Sequence, residues 1–177
     1  MLVLPKILNL MARPLAPEVA LESIAWKILE ALQENARISF AELGRKVGLS
    51  TPAVGERVKR MEEAGIIAGY HAVVEPERLG IPICVYMRLT IAGGEVPMNR
   101  AVGVVRQLSE VVECHRVTGT DSFILRAGVV SVRHLEMLID RLSTLGTTST
   151  ATVLSSPVKR REYSAKQLDG FRKYQRE

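Results

Sequence analysis

Apolar residues recur at helical spacing in three closely set stretches. Leu21, Ile24, Ile28, Leu29 and Leu32 fall on one stripe and predict a helix from Leu21 to Gln33, ended by "ENAR". "SFAE" opens a second helix. Ser39 and Glu42 have the S-x-x-E spacing of a capping box, Leu43 and Val47 give the inner face, and Gly48 is placed to end it in a left-handed turn. A third helix starts at Ser50 or Thr51. Either hydroxyl can cap it, and Pro52 suits its first turn because the missing N–H has no helical partner there. Val54, Val58 and Met61 recur at i, i+4 and i+7 as a buried face, which leaves Arg57, Lys59 and Arg60 toward solvent. Gly65 closes this helix. "IIAGYHAVVEP" then reads as extended, with Pro76 and Gly80 marking a boundary.

From about residue 81 the pattern changes. "IPICVYMRLTI" is a strand rich in β-branched and apolar residues, and "GGEVP" is a turn. Asn99 to Leu108 is helical, with Val102, Val105 and Leu108 on one side. "VVECHRVT" and "SFILRAGVV" are strands joined through "GTD" as a hairpin. Ser131 caps a further helix with the stripe Leu135, Leu138, Ile139 and Leu142, which Gly146 ends. "TTSTATVLSS" is the last strand. The order β-α-β-β-α-β is the ferredoxin-like pattern. The predicted fold class is therefore α+β. A winged or helix-turn-helix three-helix domain over residues 21–69 is followed by a linker strand over 70–80 and a ferredoxin-like βαββαβ domain over 81–156. A poorly ordered leader over 1–20, within which Met11 is an alternative start, and a basic C-terminal tail over 157–177 flank them.

Two short helices joined by a tight glycine-containing turn set the second steeply across the first. The second can then lie in the major groove of DNA with its first turn at the base edges, and its capped N-terminus offers N–H groups to a phosphate. Arg57, Lys59 and Arg60, with Arg45 and Lys46 from the preceding helix, are candidate phosphate neutralisers. The small residues Ser50, Thr51, Ala53 and Gly55 permit close approach, with Ser50 and Thr51 as candidate donors.

Composition narrows the picture. The chain has 177 residues, 47% hydrophobic and 24% charged, which suits one ordinary domain or two small ones. The formal net charge of +5 is concentrated at the C-terminus. Residues 1–70 carry 9 basic and 8 acidic side chains, residues 71–156 carry 8 of each, and residues 157–177 carry 7 against 3. The tail reads as a frayed helix or a solvated end, with nonspecific phosphate contact as a further alternative. Cys84 and Cys114 form no CxxC pair and read as buried free thiols, although spacing alone leaves a disulfide open. His71, His115 and His134 have no metal-site spacing, and no metal or cofactor is expected. The opening apolar run is too short and too interrupted for a membrane span. No nucleophile–base pair, HExxH or phosphate-cradling glycine loop occurs, so catalytic residues are not expected.

The stretch "LESIAWKILEALQENARISFAELGRKVGLSTPAVGERVKRMEEAGIIAGYHAVVEPERLG" closely resembles the N-terminal part of the Lrp/AsnC, or feast/famine, transcription regulators. Their pattern runs "L-D-x-I-D-x-x-I-L", "N-x-R-x-S-x-x-E-L-x-x-x-V-G-L-S" and "R-V-K-R-L-E-x-x-G-I-I-x-G-Y". The likeness spans residues 21–80 nearly continuously and extends into the ferredoxin-like half, about 135 residues in all. Two departures stand out. The opening aspartates become Glu22 and Ala25, and Gly55 lies inside the reading helix, where it reads as close approach to DNA.

The resemblance implies a cytoplasmic, sequence-specific DNA-binding transcriptional regulator. It also implies that the C-terminal half binds an effector and oligomerises. A "T-G-x-x-D" hairpin in the family lies at a contact between dimers and helps bind an amino acid. The corresponding stretch here is Thr118, Gly119, Thr120, Asp121 and Ser122, with the aspartate one position earlier than in that pattern, and Thr148 and Thr150 are donors from the neighbouring strand. A zwitterion needs an anionic partner for its ammonium and donors for its carboxylate. The implied partners are double-stranded DNA, a small-molecule effector and a second copy in a homodimer, which family members commonly extend to octamers. The alternative is a DNA-architectural protein that wraps DNA without a ligand.

Overall fold

The computed structural model describes residues 21–159 and 161–172, so the leader expected over 1–20 lies outside it. The chain divides into two compact units. One holds the described residues within Met1–Ala72 and Arg160–Glu177, and the other is Val73–Lys159.

The described residues of the first unit include three successive helices, α1 Ser23–Glu34, α2 Phe40–Val47 and α3 Thr51–Glu63. Ser39 Oγ accepts the Glu42 amide at 3.2 Å and Ser50 Oγ accepts the Ala53 amide at 3.4 Å. Each hydroxyl satisfies one of the donors a helix start leaves without a partner. Between α2 and α3, Gly48 takes the left-handed conformation at φ 73°, which releases the chain into the turn. Gly44 makes the turn tight, because a Cβ there would stand 2.6 Å from the Leu49 carbonyl oxygen. Ala25, Ile28 and Leu32 of α1, Leu43 of α2, and Val54, Val58 and Met61 of α3 close one core with Ile38. The predicted stripes are therefore the faces that pack, with Leu21, Ile24 and Leu29 partly buried at its edge.

The expected linker strand does not form. Residues 66–75 have no ladder partner among the described residues, Pro76–Leu79 is a 3₁₀ turn, and Val73 and Val74 are exposed. A strand needs a neighbour for its N–H and C=O groups, and β-propensity alone does not supply one.

Of the two forms expected for the C-terminal segment, the structure shows the helix rather than the solvated end. Ala165–Arg172 is a helix, α6, held to α1. The Gln33 amide donates to the Tyr163 carbonyl at 2.8 Å and accepts the Tyr163 N–H at 3.0 Å, while Glu30 accepts the Ala165 N–H at 3.2 Å. Ser164 and Gln167 cap the helix reciprocally, at 3.3 and 3.0 Å.

The second unit is βαββαβ: β1 Ile83–Thr90, α4 Glu95–Val105, β2 Val111–Arg116, β3 Phe123–Val129, α5 Val132–Ser143 and β4 Thr147–Thr152. The antiparallel sheet has strand order β2-β3-β1-β4. Val85, Met87 and Leu89 of β1 and Phe123, Leu125, Ala127 and Val129 of β3 point to one face, where Ala101 and Val105 of α4 and Leu138 and Leu142 of α5 cover them. The opposite face carries Tyr86, Arg88, Arg126 and Glu113, with Arg126 donating to Glu113 at 2.7 Å.

Three local expectations change. Helix α4 begins four residues early, because Pro97 fits a first turn whose N–H groups need no helical partner. Helix α5, capped by Ser131 as expected, ends at Ser143 rather than at Gly146. Gly146 instead lets β4 enter against β1, where any Cβ would collide with the Thr90 carbonyl. Cys114 lies exposed on edge strand β2 and Cys84 is half-buried, so the two free thiols are not both core residues.

One buried charge ties this unit together. Glu110 is 8% exposed and accepts from His134 at 3.0 Å and from Arg141, both on α5.

Candidate functional site

The start of α3 is open to solvent. Ser50, Thr51 and Pro52 are exposed, and Ala53 is half-buried. Ser50 takes the Ala53 amide for its cap, which leaves the helix entrance with a positive dipole end facing outward.

The cations around it are not equivalent. Arg57 does not face solvent as expected: its side chain is 33% exposed and donates to Glu22 at 2.9 Å. Glu22, at the α1 N-cap position, makes no capping bond of its own, so the departure from aspartate there serves an ion pair between helices. Lys59 pairs with Glu63 and Lys46 with Glu34, each at 3.8 Å. Exposed pairs of this kind are weak and exchange readily for another anion. Arg45 and Arg60 are exposed and carry no ion pair among the described residues.

Gly55 faces protein. A Cβ on it would lie 3.6 Å from the Phe40 ring, an ordinary contact, so its place in α3 is set beside α2 rather than at an open reading edge. Phe40 itself is substantially exposed. The three acidic residues of α3 also differ. Tyr70 donates to Glu62 at 2.9 Å, and burial, followed by that carboxylate, pushes the Tyr70 hydroxyl up to about 12. Glu63 holds Lys59, while Glu56 is exposed and has no partner among the described residues.

In the second unit the β2–β3 turn brings part of the expected ligand set together. Asp121 accepts from Thr90 at 3.3 Å, Ser122 Oγ accepts the Ile91 N–H at 3.0 Å, and the Ser122 amide donates to the Leu89 carbonyl at 2.9 Å. These bonds pin the turn to the end of β1. Thr118, Gly119 and Thr120 remain exposed at its tip, with Gly119 at φ 108°. His115 lies 3.8 Å from Glu113.

Thr148 and Thr150 do not join this group. They pair with Leu89 and Met87, which puts them on the helix-covered face, and Thr148 lies 3.3 Å from Ser143 Oγ. Thr147 is the β4 residue opposite Thr90. Strand faces alternate every residue, so Thr148 and Thr150 lie on the side opposite Thr90. Thr90, which donates to Asp121, was not among the expected residues, and only the tertiary structure brings it to the turn.

A groove of about 870 Å³ lies between the C-terminal segment and α1, its rim carrying Lys27, Lys46 and Lys166 against Glu30 and Glu34. It shares Lys46 with the expected DNA-binding residues and contains none of the expected effector residues. No described helix is long and apolar enough to cross a membrane.

Comparison with known proteins fits this architecture. Residues 22–62 match the AsnC-type helix-turn-helix domain, and residues 84–163 match the Lrp/AsnC ligand binding domain. The leucine-responsive regulatory protein of Haemophilus influenzae is 37% identical over 121 residues, covering 68% of this chain and 73% of that protein. The chain belongs to the Lrp/AsnC family. Bacillus subtilis LrpC, an HTH-type transcriptional regulator, is 31% identical over 135 residues, 76% of this chain and 92% of that protein. Its solved structure superposes with a TM-score of 0.74 at 30% identity, covering 79% of this chain and 99% of that one. A transcriptional regulator from Neisseria meningitidis, solved in complex with L-Met, gives a TM-score of 0.76 at 28% identity, covering 84% and 99%. This Lrp/AsnC protein is thus a helix-turn-helix transcriptional regulator with a ligand-binding domain, and its relatives are regulators rather than enzymes. Helix α6 lies beyond both matched domains.

Proposed function

We propose that this chain is a cytoplasmic, sequence-specific DNA-binding regulator, and that an amino acid bound at its C-terminal domain tunes its affinity for double-stranded DNA. The observation that carries the reading is the outward N-terminus of α3, capped by Ser50 and flanked by the unpaired Arg45 and Arg60. In this reading Ser50, Thr51 and Ala53 approach the duplex, and Arg45 and Arg60 are the first phosphate contacts. Lys46, Arg57 and Lys59 join by exchanging Glu34, Glu22 and Glu63 for phosphate. Gly55 serves the packing of α3 beside Phe40.

For the effector, Asp121 takes the ammonium, and Thr118, Thr120 and Ser122 with the Gly119 backbone supply donors around the carboxylate. The L-Met complex of the Neisseria relative supports that ligand class. A second copy pairs through the sheet. Its edges and helix-free face are what a two-fold dimer covers, and two reading helices then address half-sites about one helical turn apart or a multiple of it.

Footprinting the purified protein on its own upstream region, with and without a panel of amino acids, tests this. The expected result is a protected site whose occupancy shifts with one amino acid. Protection spread over all DNA and indifferent to every amino acid would favour the ligand-independent, DNA-wrapping alternative.

A further inference from the structure

Helix α3 turns a carboxylate, not a cation, toward whatever it meets. Val54, Val58 and Met61 fix the core direction. At about 100° per residue, Glu56 and Glu63 lie within about 20° of the opposite direction, and Lys59 and Arg60 lie about 50° to either side. Glu63 sits at the far end of the helix and is paired with Lys59. Glu62 is held by Tyr70. Glu56 is left as the exposed centre of the outward ridge, with no ion pair or hydrogen bond among the described residues.

We propose that Glu56 is a specificity-determining residue that accepts a hydrogen bond from the exocyclic amino group of a cytosine in the major groove. The proposal rests on the reading of α3 as the helix that enters DNA. A carboxylate carried between phosphate rows is repelled at every sequence. It gains only where a base edge offers a donor, and an ionised carboxylate is an acceptor with nothing to donate. Cytosine presents its amino group in the major groove without an adjacent acceptor on the same base, which is the pattern that suits Glu. Glu56 thus weakens binding everywhere except where that donor is present, which is a device for discrimination rather than affinity.

The test is selection from a randomised duplex library with the full-length wild type, Glu56→Ala and Glu56→Gln, followed by titration of the selected and shuffled duplexes. Both substitutions sit on an exposed helix position and favour helix, so folding is retained, and thermal melting verifies it. The wild type is expected to select a motif with one invariant C·G pair per half-site. Glu56→Ala should lose that preference, a factor of about 5 to 150, while binding shuffled duplex more tightly. Glu56→Gln should move the preference toward adenine, which offers both an acceptor and a donor. If all three proteins select the same motif, Glu56 does not read a base and the proposal is overturned. If the wild type selects no motif, the sequence-specific reading itself fails and this proposal with it. That outcome is separable because it appears in the wild type alone.

Discussion

Glu110 offers the sharpest test of how the C-terminal unit is held together. Burial by itself would raise its pKa, but its backbone N–H, Arg141 and His134 outweigh that and hold it at about 2, against 4.5 ordinarily. A carboxylate whose folded pKa lies below its unfolded value contributes stability above the unfolded pKa and loses it as pH falls through the folded one. The window here runs from 4.5 down to about 2. At about 1.4 kcal/mol per pH unit the full contribution is at most about 3.5 kcal/mol at neutral pH, with about 1.4 kcal/mol left at pH 3. Arg141 and His134 are 45% and 30% exposed, so both can recover water when the carboxylate goes. We therefore predict that Glu110→Gln costs about 2 kcal/mol at pH 7, below the roughly 3–5 kcal/mol for breaking a fully buried pair. In a unit of this size that lowers the melting temperature by about 8–16 °C. Calorimetry of the full chain, wild type and variant, from pH 7 to pH 3 measures it. The gap between them should be widest at pH 6–7 and shrink by more than half at pH 3. A gap below about 2 °C at pH 7, or one of equal size at both ends, would refute the cluster's role.

Further expectations concern the first unit and the ligand turn. Gly55→Ala should stabilise the protein by up to about 1 kcal/mol in thermal melting, because the added methyl meets Phe40 at ordinary contact distance and the helix gains propensity; destabilisation would mean that space is not free. Arg60→Ala should lower the salt slope of DNA binding by about 1, whereas Glu22→Gln, which releases Arg57, should raise affinity at low salt. Equal slopes for wild type and Arg60→Ala would remove Arg60 from the interface. Gln33→Ala should speed hydrogen exchange at Tyr163, since that amide loses its acceptor; unchanged protection there would show that the C-terminal segment is held by other contacts. Asp121→Ala should abolish any amino-acid-induced change in DNA affinity or assembly while the melting temperature stays within a few degrees, and a full response would move the ligand elsewhere.

What could be read along the chain was what short-range forces decide. The stripes of α1, α3 and α5, the caps at Ser39, Ser50 and Ser131, and the turn at Gly48 each depend on residues within four positions of one another. The alternation of β1 and β3 was legible for the same reason, and so was the order of elements. Family resemblance extended this to function because the matching motifs are themselves local.

What the sequence left open was set by partners far apart in it. Arg57 and Glu22 stand 35 residues apart, and only the crossing of α3 over α1 makes them a pair. Gln33 and Tyr163 are 130 apart, so what anchors the C-terminal helix could not be read along the chain. The β4 register, fixed by pairing with β1, decided that Thr147 and not Thr148 shares a face with Thr90. Helix and turn are encoded by neighbours in the chain. Which charge is quenched, and which side of a strand a hydroxyl occupies, follow from packing between segments whose separation in sequence carries no information about their distance in space.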